Sequence, residues 1–286
     1  IINENVILNI LNEKVECSIN DLWDAGGSDL INFQINYLTY LSSPIPLEDK
    51  FYLLDQHIGY SKENSNHYIY DPFVISIKIV QIIKFISAFS IKNRLYDSFL
   101  YSQSKFLSRR LEKELLGNHL LFNGFGLLFS AYYFKSNLFF QQAKEIFSKQ
   151  LTEQFLDDGM HFELSPMYNA ILIKEMMLCY DLLVNNNDFG DVLSHLFKDT
   201  IERAMSFYDF ISVDGYYPCL NDSYFLSDLK NTTIKENFKA LGLKSRKLKQ
   251  SKSSGYRKYS NKNFTLIFDA AQIGPRYQPG HAHADN

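Results

Sequence analysis

Apolar residues recur at helical spacing through most of this chain. From about residue 28 to residue 212 the pattern predicts one helix after another. A short helix over 30–41 stops at Pro44 and Pro46, whose rings remove backbone donors. A loop rich in Asn, Ser and Tyr follows, as far as Asp71-Pro72. Longer helices are predicted over 73–89, 96–116, 119–134, 138–155, 167–184 and 192–211. Several are apolar nearly all round, the mark of helices buried on more than one side. Their short connections predict α/α hairpins in a solenoid or a closed toroid.

The pattern changes after about residue 229. Residues 230–254 are rich in Lys and Ser, with Phe238 and scattered leucines, and read as a linker or an exposed helix and turn. Lys244, Arg246, Lys247, Lys249 and Lys252 cluster there. A solvated charged face is the simpler reading of that cluster, and a polyanion-binding strip the functional alternative. Residues 256–259 and 264–269 read as two strands joined by Ser260-Asn261-Lys262-Asn263, a hairpin-turn composition. The expected organisation is a helical domain over 1–229, a linker over 230–253, and the start of a β-domain over 254–286 that is cut short.

Composition narrows the function classes. With 286 residues and 46% hydrophobic side chains, the chain can bury a sizeable core as one large domain, or as a domain and part of a second. A net charge of -3 gives no support for nucleic acid as the main partner. Cys17, Cys179 and Cys219 are far apart and show neither metal-ligand spacing nor a disulfide framework, so buried free thiols are expected. The longest apolar run, 73–89, is interrupted by Lys78, Gln81 and Lys84, a polar stripe that fits a core helix and not a membrane span. No initiator Met opens the sequence and no signal peptide is in view. An internal fragment of a longer protein, or the ordered part of one, is expected.

Four loops gather chemistry. Leu116-Gly117-Asn118-His119 joins two predicted helices, with Gly117 as a C-cap and Asn118 as an N-cap. In 157–169, an Asp-Gly turn leads through His161 and Glu163 to Ser165-Pro166, which can open a helix with Tyr168 in its first turn. In 213–222, a helix ends in a polar, aromatic loop carrying Asn221 and Asp222. The last residues, 280–286, hold two of the seven histidines, His281 and His283, on an extended segment whose alternate side chains point apart. Imidazole moves protons near neutral pH or binds a metal. Each loop alone reads as an ordinary turn. Together, Asn, His, Tyr and Glu at one rim of a helical array suit a carbohydrate cleft, with aromatic rings to stack on sugars.

These residues resemble the heparinase II/III-like polysaccharide lyases, a group related also to the oligoalginate lyases. The likeness runs over nearly the whole chain. Trp23 and Gln34-Ile35-Asn36-Tyr37-Leu38 look like the family's early motif, and 71–85 like its Ser-x-Arg-x-x-Asn-x-x-Lys-Phe helix. Leu116 to Leu120, Asp158 to Tyr168, Asn221-Asp222 and Tyr277 to Asp285 match further motifs in order. Asn169 stands where many members have His, Ile77-Lys78 where Ser/Leu-Arg is usual, and Asn36-Tyr37 lacks the early His.

The resemblance implies an α/α toroid followed by an antiparallel β-sandwich, of which only the first strands are present here. It implies β-elimination at a uronic acid of an acidic polysaccharide. Asn118 and His119 would neutralise the substrate carboxylate, Tyr168 would be the general acid (and, for one sugar configuration, also the base), and His281 a catalytic imidazole. His161, Glu163, Asn221, Asp222 and Tyr277 would line the substrate. The chemistry needs no cofactor, while His283 matches a position that holds a structural zinc in some members, its other ligands beyond the chain end. An acidic glycan points to the periplasm or the cell exterior. Two other readings stay open: a glycoside hydrolase, which needs two carboxylates across a cleft, for which Asp158, Glu163, Asp214 and Asp222 are available, and a non-catalytic glycan-binding protein acting beside polysaccharide biosynthesis.

Overall fold

The structure, a computed structural model, describes residues 5–271 apart from Asn12, Gly26, Asn66, Ser227, Asp228 and Lys230. The described chain is mainly helical, with two small antiparallel hairpins. It forms two compact units: residues 1–115 with 122–143, and residues 116–121 with 144–286.

The first unit opens with a hairpin the hydrophobic pattern did not announce, β1 (Asn5–Ile10) on β2 (Glu13–Ser18), in the register Val6 to Cys17 and Leu8 to Val15. Helix α1 (Asp29–Asn36) is capped by Ser28, and a 3-10 turn follows over Thr39–Ser42. The segment expected to be a loop up to Asp71 is largely helix: α2 (Leu47–Glu63), then the single turn α3 (His67–Tyr70). Pro46, read as a stop, sits at the N-cap of α2, where its missing N–H is no loss. Glu48 and Asp49 in the first turn and Lys62 in the last suit the helix dipole. Lys50 donates to the Leu41 carbonyl at 2.9 Å.

Helix α4 (Pro72–Ala88) starts on Asp71, whose carboxylate accepts from Phe73 N and Val74 N. The stripe expected to be polar is not solvated at Lys78, which is wholly buried and donates to the Ile69 carbonyl at 2.9 Å. Burial holds its ammonium pKa down to about 7. Beside it in the core, His57 lies edge-on to Trp23 and Phe99 at 4.7 and 6.1 Å, with no hydrogen-bond partner on either ring nitrogen among the described residues. Helix α5 (Arg94–Leu107) ends well before Leu116, the predicted end. Asn123 accounts for this: its amide accepts from Glu112 N at 2.8 Å and donates to the Glu112 carboxylate at 2.7 Å, giving the backbone beyond α5 a non-helical partner. Asn123 belongs to α6 (Gly117–Phe134), which α7 (Asn137–Gln154) follows; the boundary between the units falls within both helices. Gly126 of α6 lets two backbones meet, since a Cβ there would lie 2.9 Å from Ser76 Cα.

In the second unit, α8 (Pro166–Val184) packs on α9 (Ser194–Ile211). The segment expected to be a linker contains a third helix, α10 (Asn231–Ala240). The predicted hairpin is present as β3 (Tyr256–Ser260) and β4 (Thr265–Asp269), and Asn261 closes its turn by accepting from Asn263 N and Phe264 N. Tyr256 inserts into an apolar cluster with Met160, Leu164, Phe207 and Ile211. All three cysteines are free, but only Cys179 is buried; Cys17 is half-buried and Cys219 exposed. Among the described residues no helix is long and apolar enough to cross a membrane.

Candidate active site

The loop between α7 and α8 is built to hold Tyr168 in place. Its Asp-Gly turn is fixed by Gly159, at φ +90°, where a Cβ would lie 2.0 Å from the Arg203 carbonyl oxygen. Only glycine fits there. The neighbouring Asp158 carboxylate accepts from Ser251 Oγ at 2.6 Å and from Ser254 N and Oγ at 2.8 and 3.0 Å, so it ties the 251–254 segment to this turn. Leu164 then takes a left-handed conformation, φ +58°, and turns the chain into the helix. Ser165 caps α8 as its sequence predicts: its Oγ accepts from Tyr168 N at 3.1 Å and donates to the Asp222 carbonyl at 2.7 Å, and Pro166 follows at the first helical position.

Tyr168, in that first turn, donates its phenol proton to the carboxylate of Asp222. Burial, the Asp222 bond and the nearby charges of Asp222 and Glu163 all disfavour phenolate, and they push the Tyr168 pKa well above its ordinary value. The loop bearing Asp222 is itself pinned. Ser223 shares a hydrogen bond with Ser165 at 2.9 Å, and Tyr217, almost wholly buried, donates to the Tyr224 carbonyl at 2.8 Å. Asn221, left-handed at φ +55°, directs its amide at the Leu164 carbonyl, the Tyr256 hydroxyl and the Asp269 carboxylate, all within 3.0 Å. Its side chain thus holds this loop to the β3–β4 hairpin.

Asn118 is not the N-cap of its helix, and Gly117 caps no preceding helix, because α5 has already ended. Leu116 and Gly117 are both left-handed (φ +57° and +56°) and turn the chain into α6. The cap comes from far away in sequence. Glu163, nearly fully buried, accepts from Asn118 N at 3.1 Å and from its side-chain amide at 3.4 Å. A carboxylate at a helix N-terminus meets unsatisfied N–H groups and the positive end of the dipole. His119 follows, half-buried, in the same turn.

His161 is fully buried, between the rings of Phe155 and Phe162. Gln154, which sequence reasoning missed, explains its role. The Gln154 NH2 donates to the Gly117 carbonyl at 2.7 Å and to Gln150 Oε1 at 2.6 Å. Its Oε1 is left to accept from His161 Nε2 at 2.8 Å, which sets the tautomer. Asn169 completes the chain by accepting from His161 N at 3.1 Å. The α6 N-terminus and the start of α8 are therefore joined by buried hydrogen bonds. The structure brings together Asn118, His119, His161, Glu163, Tyr168, Asn221 and Asp222 within one unit. His281, Tyr277 and His283 lie outside the described residues. Among the described residues, no group of three or more His, Cys, Asp and Glu side chains could hold a metal ion.

The model of the heparinase II/III N-terminus matches residues 61–244, and that of the heparinase II/III-like C-terminal region matches residues 243–286. The chain belongs to the heparinase II/III family. A heparin-sulfate lyase of Bacteroides stercoris is 28% identical over 116 residues, 37% of this chain and 17% of that protein. The crystal structure of a heparan sulfate lyase from Pedobacter heparinus aligns with 98% of this chain and 50% of its own, with a TM-score of 0.56 and 18% identity. That of heparinase III aligns with 87% of this chain and 47% of its own, with a TM-score of 0.62 and 16% identity. The fold is therefore that of these enzymes, a helical array running into the start of a β-domain, and the chain spans about half the length of the solved structures it matches.

Proposed function

We propose that this chain is part of a polysaccharide lyase that cleaves a uronic-acid-containing acidic polysaccharide by β-elimination. The observation that carries the reading is Tyr168, a half-buried phenol at the start of α8 whose proton is held by its partly desolvated setting and by Asp222. In β-elimination a base removes the proton α to the uronate carboxylate. The electron pair forms a carbon–carbon double bond, the bond from the β carbon to the glycosidic oxygen breaks, and that oxygen takes a proton. A phenol that resists ionisation is matched to a leaving alkoxide, so Tyr168 acts as the general acid. Serving as base would require phenolate, which Asp222 and Glu163 oppose.

Asn118 spends one amide proton on Glu163 and keeps the other for the substrate carboxylate, with His119 beside it. Neutralising that carboxylate stabilises the enolate-like state, as an oxyanion hole does. The base is His119 or His281, according to the face from which the proton leaves. Asp222 orients Tyr168, Glu163 positions Asn118, His161 acts through Gln154 and not by touching sugar, and Asn221 holds the loop. Tyr277 would contact substrate, and His283 would be one of the residues to hold a structural zinc. The reaction itself needs no cofactor.

A hydrolase reading fares worse, because the carboxylates it would use are already engaged: Asp158 by Ser251 and Ser254, Glu163 by Asn118, and Asp222 by the Tyr168 phenol. The test is a panel of uronate polysaccharides, followed by the near-ultraviolet absorbance of the conjugated product, with Tyr168→Phe as control. A rise that the substitution removes supports β-elimination. New reducing ends without that absorbance would replace it with hydrolysis. Binding without turnover, unchanged by the substitution, would replace it with a glycan-binding role.

A further inference from the structure

Residues 237–268 contain nine Lys and Arg and no Asp or Glu, in a chain of net charge -3. Much of this charge lies on a strap, residues 243–254, that is neither helix nor strand. The strap runs along α9. Lys244 N donates to Glu202 Oε1 at 3.0 Å, Arg246 N to Ser206 Oγ at 2.8 Å and Ser245 Oγ to Asp209 Oδ2 at 3.0 Å. Glu202, Ser206 and Asp209 follow helical spacing and so share one face of α9. The far end is fastened by Ser251 and Ser254 on Asp158, and Arg257 donates to the Ser251 carbonyl at 2.5 Å.

The acids beneath the strap are thus spent on its backbone and its serine, not on its cations. Lys244, Arg246, Lys247, Lys249 and Lys252 are exposed, and none has an acidic partner among the described residues. A fixed backbone presenting five uncompensated cations over nine residues can reach at most about 30 Å. Such a row loses little entropy on binding a polymer, because it is already ordered.

We propose that residues 244–252 form an accessory binding surface for an extended anionic polysaccharide, gripping carboxylate or sulfate groups spaced along it. That the polymer held there is also the substrate rests on the lyase reading above. Nucleic acid fits less well: no aromatic side chain interleaves with these cations to stack on bases, and the rest of the chain is acidic. A membrane surface fits less well too, since Leu248, the one large apolar residue between Lys244 and Lys252, is partly buried against the core of the unit.

The test measures binding, without turnover, in the intact protein carrying Tyr168→Phe. Neutralising the strap (K244Q, R246Q, K247Q, K249Q and K252Q together) weakens affinity for a long uronate or sulfated polysaccharide about tenfold at low salt. The gap closes as salt is raised, and the Lys→Arg versions of the four lysine positions retain affinity. Unchanged far-ultraviolet dichroism shows that the exposed substitutions leave the fold intact. Equal affinity before and after neutralisation overturns the proposal, and so does duplex DNA binding as tightly as the glycan. Failure of the lyase reading shows up separately, as absence of unsaturated product when Tyr168 is intact, and leaves the binding result standing.

Discussion

Glu163 accepts both the backbone N–H and the side-chain amide of Asn118, across 45 residues of sequence. One carboxylate therefore caps a helix and orients the residue proposed to meet the substrate. Glu163→Ala uncovers the α6 N-terminus and lowers stability by about 1–2 kcal/mol. Turnover falls further than that loss explains, because Asn118 is no longer aimed. Glu163→Gln, which keeps an acceptor, is milder in both respects. Thermal melts beside kcat and KM separate the two effects.

Asp222 keeps the Tyr168 proton on the phenol, and Asp222→Asn removes that charge. Ultraviolet difference titration of the variant then shows one tyrosine ionising at lower pH than in the parent, and the same change is absent when Tyr168→Phe is added. Tyr168→Phe itself lowers turnover by at least about 100-fold with the fold intact, the usual scale for losing a general acid. A variant with near-normal turnover would remove Tyr168 from the reaction.

Gly159 and Gly215 are both left-handed, yet only one is crowded. Gly159→Ala drives a Cβ into the Arg203 carbonyl and destabilises by about 3–5 kcal/mol. Gly215→Ala, at φ +85° with nothing within 4 Å, meets only the backbone penalty, about 1–2 kcal/mol. Chemical denaturation of the pair, with parental slopes, measures the difference.

Two buried bases in the first unit set a pH dependence. Burial and the Lys78 charge lower the His57 pKa well below its ordinary value, and burial brings Lys78 to about 7. In both cases the unfolded chain binds the proton more readily. Stability therefore falls as pH drops from the unfolded lysine range, near 10.5, toward 7, and falls again below the unfolded histidine value of about 6.5. Denaturation midpoints across that range should show this slope, and Lys78→Met should flatten its upper part. A midpoint that stays level from neutral to alkaline pH would mean that Lys78 remains charged in the core.

Local signals are legible in this sequence, and distant partners are not. Asp71-Pro72 and Ser165-Pro166 open helices as written, because cap and helix are adjacent, and the turn at Asn261 is equally local. Helix α2 was missed because its polar residues and flanking prolines resemble a loop, although Leu54 and Ile58 mark its buried side. The end of α5 depends on Asn123, and the cap of α6 on Glu163, neither of which is a neighbour in sequence. Lys78 reads in sequence as part of a polar stripe on a core helix, and only the Ile69 carbonyl explains how that lysine is buried. At the site, Tyr168 was visible from its helix start. Gln154 and the inward-facing role of His161 were not, since a buried amide relay leaves no spacing to read.

The three acceptors around the Asn221 amide have a bearing on how the protein is made. Two of them, Tyr256 and Asp269, are 35 and 48 residues downstream. At about 5–20 residues per second, a ribosome that has added Asn221 needs roughly 2–10 seconds more to reach Asp269. During that interval Asp222 sits on a loop still lacking part of its support, whereas α8 and α9 need no later residue in order to pack on each other. The hairpin at residues 256–269 thus acts as a late clasp: the order of synthesis, not only the final packing, decides when the Tyr168 environment is complete.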